Sequence, residues 1–246
     1  MTVLGLDTSG VSASVAIVQR GTVLAEHTSF SSEGSPTPSP PAHANHSEVI
    51  LPLIEAAFRE RRLKFSDLTA LGVSIGPGSF TGLRIGLSTV KGLAYGSDVP
   101  VFGVRTLAAM AHRVPSQVRG HFVCAIMDAR KGQVYAALYR SDADVLTTVM
   151  EDTLDTAENV LRRVRELTTG GCLFVGEGTR VYGELIEDLM DGRGSLTVGE
   201  EYPSTASGVA CIAEKRFLNG TPDTLHTLMP DYLRPPDAVP PRPRTA

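Results

Sequence analysis

The residues with the clearest chemical potential form a glycine-rich loop, GPGSFTG, at residues 76–82. An apolar run at 70–75 predicts a buried strand before it, and residues 83–94 predict a helix after it. Free N–H groups at such a strand-to-helix turn can bind an anion such as a phosphate. Ser79 or Thr81 can cap the helix. A tight turn with no ligand explains the same pattern equally well.

Three common enzyme motifs fail on spacing in this loop. A P-loop needs a Gly-Lys pair, which the chain lacks. The dinucleotide-binding spacing requires glycine where Thr81 stands, and a nucleophile elbow requires glycine where Pro77 stands. The loop therefore indicates none of these enzyme classes.

A second candidate site follows the first predicted strand, at residues 3–7. Asp7, Thr8 and Ser9 place a carboxylate beside the N–H and hydroxyl groups of a turn, a set that could orient a Mg²⁺-nucleotide. The alternative is that Asp7 accepts hydrogen bonds from its own turn. Gly176 and Gly178, after a predicted strand at 173–175, are further candidate nucleotide-binding residues.

The composition limits which binding partners and which cellular compartment we expect. The 246 residues carry a net charge of −4, which argues against binding nucleic acid by phosphate neutralisation by this chain alone. Three cysteines without CxxC spacing predict reduced, buried thiols in a cytoplasmic protein. We expect neither a signal segment nor a membrane span, since the chain enters a strand at once and no apolar run approaches about 20 residues.

The elements that position these residues form two similar halves. Strands at 3–7, 12–18 and 22–28 predict an antiparallel meander, and a Ser/Pro-rich stretch at 31–44 predicts a mobile loop that is more often a spacer than a functional segment. A helix is expected from 45 to 62, with a late start or a kink at Pro52. A strand at 100–104 closes the first half.

The second half repeats the plan of the first. Strands at 121–128 and 133–139 echo the opening hairpin, followed by helices at 156–166 and 207–219 around the strand at 173–175. A proline-rich tail at 235–246 is predicted to be disordered. Strands followed by helices in each half favour a two-lobed α/β fold over a doubly wound sheet.

The second helix carries two small residues on one face. Gly82 and Gly86 lie four residues apart, beside Leu83, Leu87 and Val90. Glycines at this spacing let another helix approach closely. Packing within the same chain is the alternative.

Two resemblances emerge from these motifs. The turn at residues 6–9 resembles the first phosphate loop of the ASKHA superfamily of actins, heat-shock chaperones and sugar kinases. The motifs together resemble the TsaB (YeaZ) family, also called glycoprotease-like, over about residues 2–234. They are LDTS at 6–9, HSE at 46–48, LPLI at 51–54, GPGSFTGLRIG at 76–86, DAR at 128–130, GEG at 176–178 and PDYLR at 230–234.

The resemblance implies a two-lobed ASKHA fold with ribonuclease H-like lobes. The lobes would span residues 1–104 and 105–206, with the helix at 207–219 returning to the first. It also implies a cytoplasmic, non-catalytic dimerisation subunit, required with TsaD and TsaE to transfer threonylcarbamoyl to the exocyclic amine of adenosine 37 in tRNA. ATP would be used by the complex, and tRNA would be bound only through it.

The family would dimerise with its paralogue TsaD through the first two long helices, and with itself when isolated. The implied interface residues are His46, Ser47, Ile50, Leu53, Ile54, Gly82, Leu83, Gly86, Leu87 and Val90. Gly86→Leu would then weaken the complex by overpacking. No catalytic or metal-binding residue is implied in this chain.

The paralogue offers a check on catalysis. TsaD carries a His-x-x-x-His metal pair after the strand that closes its first lobe, where this chain has Thr106 and Met110, and neither replaces an imidazole. The alternative is an ASKHA-type ATPase or kinase acting alone, with ATP or ADP and Mg²⁺ at Asp7, Thr8, Ser9, Gly176 and Gly178. Bulky residues at 129–131 argue against it, and a peptidase is disfavoured because no nucleophile–base or metal spacing supports one.

Overall fold

The computed structural model describes residues 1–29, 45–114, 122–142, 145–196 and 204–234. The predicted mobile loop at 31–44 and the predicted disordered tail at 235–246 lie outside the described residues. No helix in the described part is both long enough and apolar enough to cross a membrane.

Two five-stranded mixed sheets form the framework. The first contains β1 (Thr2–Asp7), β2 (Ser14–Gln19), β3 (Thr22–Thr28), β4 (Ala70–Gly76) and β5 (Val101–Arg105). The second contains β6 (Phe122–Asp128), β7 (Gln133–Asp142), β8 (Val145–Thr156), β9 (Cys172–Val175) and β10 (Gly194–Leu196).

The two sheets share one topology. The first has the order β3-β2-β1-β4-β5, and the second, read from the other edge, has the order β8-β7-β6-β9-β10. In each sheet the first three strands are antiparallel neighbours, and the last two run parallel to the central strand. This repeated arrangement confirms the two-lobed α/β fold and the predicted likeness of the two hairpins.

Six α-helices in the described ranges cover the sheets. They are α1 (His46–Arg61), α2 (Phe80–Ala94), α3 (Thr106–His112), α4 (Ala157–Leu167), α5 (Gly178–Met190) and α6 (Thr205–Asn219). Helix α1 begins six residues before Pro52, so the expected late start is wrong. Helices α1 and α2 pack on the outer face of the first sheet, and α4 and α5 on the outer face of the second.

Helices α3 and α6 fill the layer between the sheets. Helix α6 packs on the inner face of the first sheet, and α3 lies between α6 and the second sheet. The buried Glu214 carboxylate on α6 accepts hydrogen bonds from the N–H groups of Arg20 and Gly21, at 2.7 and 2.6 Å. Because both oxygens of this carboxylate accept hydrogen bonds from the β2–β3 turn, they fix α6 to the first sheet.

Apart from a short 3-10 helix at Phe65–Asp67, four elements of the described structure have no counterpart in the sequence prediction. They are α3, β8, α5 and β10. Helix α3 starts directly where β5 ends, and α5 starts at Gly178, a residue named above only as a candidate nucleotide-binding residue. These elements complete the second lobe, which the sequence outlined only in part.

Candidate functional site

The Asp7 carboxylate serves the turn to which it belongs. Its Oδ1 accepts hydrogen bonds from the Ser9 N–H at 3.2 Å and the Ser9 hydroxyl at 2.6 Å. Asp7 and Ser9 are only 4% and 1% exposed, and burial raises the pKa of Asp7. The geometry therefore favours the alternative of a self-bonded turn, and nucleotide contact by these residues stays a prediction.

The glycine-rich loop is docked on this same turn. The Thr8 hydroxyl donates to the Gly82 carbonyl at 2.7 Å, and the Ser79 N–H donates to the Ser9 carbonyl at 2.7 Å. The Ser79 hydroxyl accepts from the Gly82 N–H at 3.2 Å, so Ser79 rather than Thr81 caps α2. These bonds fix the start of α2 relative to β1, and anion binding by the loop stays a prediction.

Gly82 and Gly86 face the interior of the chain, which favours the alternative of packing within the same chain. A Cβ atom at Gly82 would overlap the Thr8 carbonyl oxygen, and one at Gly86 would lie 2.5 Å from the Thr8 Oγ1. Both glycines are buried. Their small size lets α2 approach the β1–β2 turn, so Gly86→Leu would disrupt the fold itself and does not test a partner interface.

The predicted apolar interface residues are also internal. Ile50, Leu53, Ile54, Leu83, Leu87 and Val90 are buried, all at 9% exposure or less. The apolar stripes of α1 and α2 lie against their own sheet, as in most amphipathic helices of globular proteins. These six side chains therefore take part in packing within the chain, and their contact with a partner stays a prediction.

Two of the predicted interface residues lie nearer the solvent. Ser47 is exposed, whereas His46 is half-buried with its Nε2 3.0 Å from the Val11 carbonyl oxygen. Of the two, Ser47 also lines a groove on the outer surface of α1 and α2.

This groove has a volume of about 410 Å³. Leu51 is 56% exposed and Phe80 38% exposed, although both are large and apolar. The groove is lined by Ser47, Ile50, Leu51, Phe80, Thr81, Arg84, Ile85, Ser88 and Thr89. Phe80, Arg84 and Ser88 recur every four residues, a spacing that could have identified this second face of α2 from the sequence.

Gly176 and Gly178 have a packing role at the start of α5. A Cβ atom at either position would lie 2.5 or 2.9 Å from the Ile126 carbonyl oxygen on β6. The glycines thus let the β9–α5 junction approach β6. Nucleotide contact by either glycine remains a prediction.

Glu177 lies between these glycines and is half-buried. No signal in the sequence linked it to the preferred function. Burial raises its pKa, and the nearby Asp128 and Asp7 carboxylates raise it further. Asp128 itself accepts hydrogen bonds from the Arg130 N–H and the Tyr182 hydroxyl, at 2.9 and 3.1 Å. The Glu177 carboxylate therefore interacts electrostatically with an acidic side chain of each lobe, Asp7 of the first and Asp128 of the second.

The positions that correspond to the paralogue's metal pair lie on α3. Thr106 is fully buried at the first residue of this helix, and Met110 lies one turn later. Within the described ranges, no group of three or more His, Cys, Asp or Glu side chains is arranged to hold a metal ion.

Comparison with known proteins adds an independent view of this architecture. A family model described as TsaD, tRNA N6-adenosine threonylcarbamoyltransferase, matches residues 25–238. The tRNA threonylcarbamoyladenosine biosynthesis protein TsaB of Bacillus subtilis is 29% identical over 237 residues, covering 95% of this chain and 94% of the relative. The protein of the same description from Haemophilus influenzae is 30% identical over 197 residues, covering 78% of each chain.

A solved structure shows the same fold over nearly the whole chain. YeaZ from Pseudomonas aeruginosa superposes with a TM-score of 0.74 at 26% sequence identity. The match covers 94% of this chain and 99% of the solved one. The similarity therefore includes both sheets and the helices on each side of them.

Proposed function

The chain belongs to the family described by the tRNA N6-adenosine threonylcarbamoyltransferase (TsaD) model, within it to the TsaB (YeaZ) proteins, and from this premise we propose that it is a non-catalytic partner subunit. Its process is tRNA threonylcarbamoyladenosine biosynthesis. The proposed role is to bind a TsaD-type paralogue, together with TsaE, so that the paralogue carries out threonylcarbamoyl transfer. The tRNA would be contacted through the assembled complex.

The groove on α1 and α2 is the observation that carries this proposal. It lies on the outer helical layer, away from the α3 and α6 layer that joins the two sheets. Exposed apolar side chains with polar neighbours are typical of protein interaction sites. Leu51 and Phe80 are of this kind, beside Ser47, Thr81 and Ser88. The proposed docking face is thus the solvent side of the same two helices, rather than their glycine face.

The residues at the candidate catalytic positions support a non-catalytic role. Thr106 and Met110 occupy the positions of the paralogue's metal pair, and a hydroxyl and a thioether are poor substitutes for two imidazoles. Asp7, Thr8 and Ser9 are each 4% exposed or less and bonded within the chain. An ATPase or kinase acting alone would need these groups to contact a nucleotide.

The test is complex formation with the TsaD-type paralogue from the same genome, followed by gel filtration with light scattering and by calorimetry. We expect a heterodimer, and self-association of the isolated chain through the same face. Leu51→Glu should weaken both by at least about tenfold, because it places a charge in the apolar groove. Leu218→Glu is the matched control, since Leu218 is 68% exposed on α6.

Two results would contradict the proposal. One is a Leu51→Glu variant that binds the paralogue as tightly as the Leu218→Glu variant. The other is micromolar ATP binding with turnover by the isolated chain, which would favour the ATPase or kinase alternative.

A further inference from the structure

Arg84 lies at the rim of the groove and is held there by two aromatic rings. Its guanidinium carbon lies 3.8 Å from the centroid of the Phe80 ring and 6.0 Å from that of Tyr232. The Arg84 Nε donates a hydrogen bond to the Tyr232 hydroxyl at 2.9 Å. The two rings also contact each other, with centroids 4.7 Å apart and planes inclined by 30°. These contacts restrict the guanidinium to a narrow range of orientations.

Tyr232 is part of a segment that is itself anchored on both sides. The N–H of Asp231 donates to the Ile75 carbonyl at 2.6 Å, and its carboxylate lies 2.9 Å from the Arg105 guanidinium. Two residues after Tyr232, the Arg234 guanidinium donates hydrogen bonds to the Ala129 carbonyl and to the Gln133 side chain, at 2.5 and 2.7 Å. Tyr232 is therefore a fixed platform beside α2, supplied by a part of the chain 148 residues away from Arg84.

The groove is otherwise uncharged. Arg84 is the one charged side chain among the nine residues that line it, and in the described part of the chain no carboxylate pairs with it. Its Nε is used by Tyr232, while no hydrogen bond from its terminal nitrogens occurs within the described residues. An arginine that is stacked and oriented in this way is suited to bidentate pairing with a carboxylate.

We propose that Arg84 is a specificity-determining residue of the docking face, which pairs with a carboxylate on the TsaD-type partner, and that Tyr232 is the residue that positions it. This inference rests on the proposed function, since it places the partner on the groove. The occupant would be a surface with apolar side chains opposite Leu51 and Phe80, and an aspartate or glutamate at the edge that meets Arg84. Because Arg84 is ordered before binding, less side-chain entropy is lost when the pair forms.

The experiment measures the affinity for the paralogue by calorimetry at low and at physiological ionic strength. Arg84→Gln should weaken binding by about 10- to 30-fold and should reduce its dependence on salt. Arg84→Lys should recover the salt dependence but only part of the affinity, since an ammonium does not pair bidentately. Tyr232→Ala should weaken binding by about three- to tenfold, with the salt dependence retained. Arg140→Gln, which removes an exposed arginine of the second lobe, is the charge-matched control.

The outcomes separate this inference from the proposed function. If the unaltered chain binds the paralogue and Arg84→Gln changes neither affinity nor salt dependence, the inference is overturned and the proposed function stands. If the unaltered chain does not bind, both are overturned. Thermal unfolding of each variant establishes that it is folded, and Arg84→Lys, which retains the charge and most of the side-chain length, still tests the pairing if Arg84→Gln unfolds.

Discussion

Replacing Gly82 with alanine should destabilise the first lobe, because this glycine is the point where α2 meets the β1–β2 turn. The added Cβ would overlap the Thr8 carbonyl oxygen and lie 3.1 Å from the Thr8 carbonyl carbon and 3.2 Å from the Ser79 Cβ. Two of these three neighbours are backbone atoms, which do not move aside as a flexible side chain would. The helix or the turn must shift to accommodate the methyl group.

The size of the effect follows from three contributions. Overpacking of this kind costs about 1–3 kcal/mol. The shift also strains the hydrogen bond from the Thr8 hydroxyl to the Gly82 carbonyl, which contributes about 1 kcal/mol. Alanine is favoured over glycine in a helix by about 1 kcal/mol, which offsets part of the loss. We expect a net loss of about 2 kcal/mol, equivalent to a fall in Tm of about 4–8 °C for a chain of this size.

The assay is thermal unfolding followed by circular dichroism, with Gly92→Ala as the matched control on the same helix. No atom lies within 4 Å of a Cβ built at Gly92, so this substitution should stabilise the protein by about 1 kcal/mol. If Gly82→Ala melts at the same temperature as Gly92→Ala, the intramolecular packing described here is wrong. If it also loses affinity for the paralogue while remaining stable, Gly82 faces a partner after all.

Other predictions follow from single groups. Ser79→Ala should lower stability by about 1 kcal/mol, whereas Thr81→Ala should not, and equal unfolding midpoints would contradict the assignment of the cap. Burial raises the pKa of Glu177 above its ordinary 4.5, so the free energy of unfolding falls as the pH rises through the folded-state pKa and the carboxyl becomes charged. Glu177→Gln should therefore increase the free energy of unfolding at neutral pH. In urea titrations this gain should vanish below about pH 4.5. All three cysteines are buried, and burial raises the pKa of Cys172 to about 12. Ellman's reagent should therefore react slowly with the native protein, and should detect three thiols once the protein is unfolded. A rapid reaction with the native protein would refute this.

The first lobe could be predicted well because its elements carry strong local signals. The predicted bounds of β3 are those observed, and the predicted helix at 45–62 differs from α1 by one residue at each end. Buried apolar runs and helical periodicity depend on neighbours in the sequence, and these are visible without a structure.

The missed elements lack such signals. Strand β8 has 12 residues of which Met150 alone is classed as buried, so no alternation of buried and exposed residues marks it. Helix α3 has seven residues and no side-chain cap. Helix α5 starts with glycine and departs from helical geometry at Tyr182. Each is held by packing against other elements rather than by its own preferences.

The site was predicted less well because its chemistry depends on contacts across the chain. The spacing of Gly82 and Gly86 indicates a close approach but does not say whether the neighbour is the chain's own turn or a partner helix. The position of Arg84 depends on Tyr232, which is distant in sequence. Such pairings appear only when the fold brings the two segments together.

The most direct test of the central claim is complementation of a strain depleted of its own TsaB protein, scored by the amount of threonylcarbamoyladenosine in its tRNA. The chain should restore the modified nucleoside, and Leu218→Glu should restore it equally well. Leu51→Glu, expressed to the same level, should not restore it. Full restoration by Leu51→Glu, or none by the unaltered chain together with its own TsaD-type paralogue, would contradict the role of this groove in a tRNA-modifying complex.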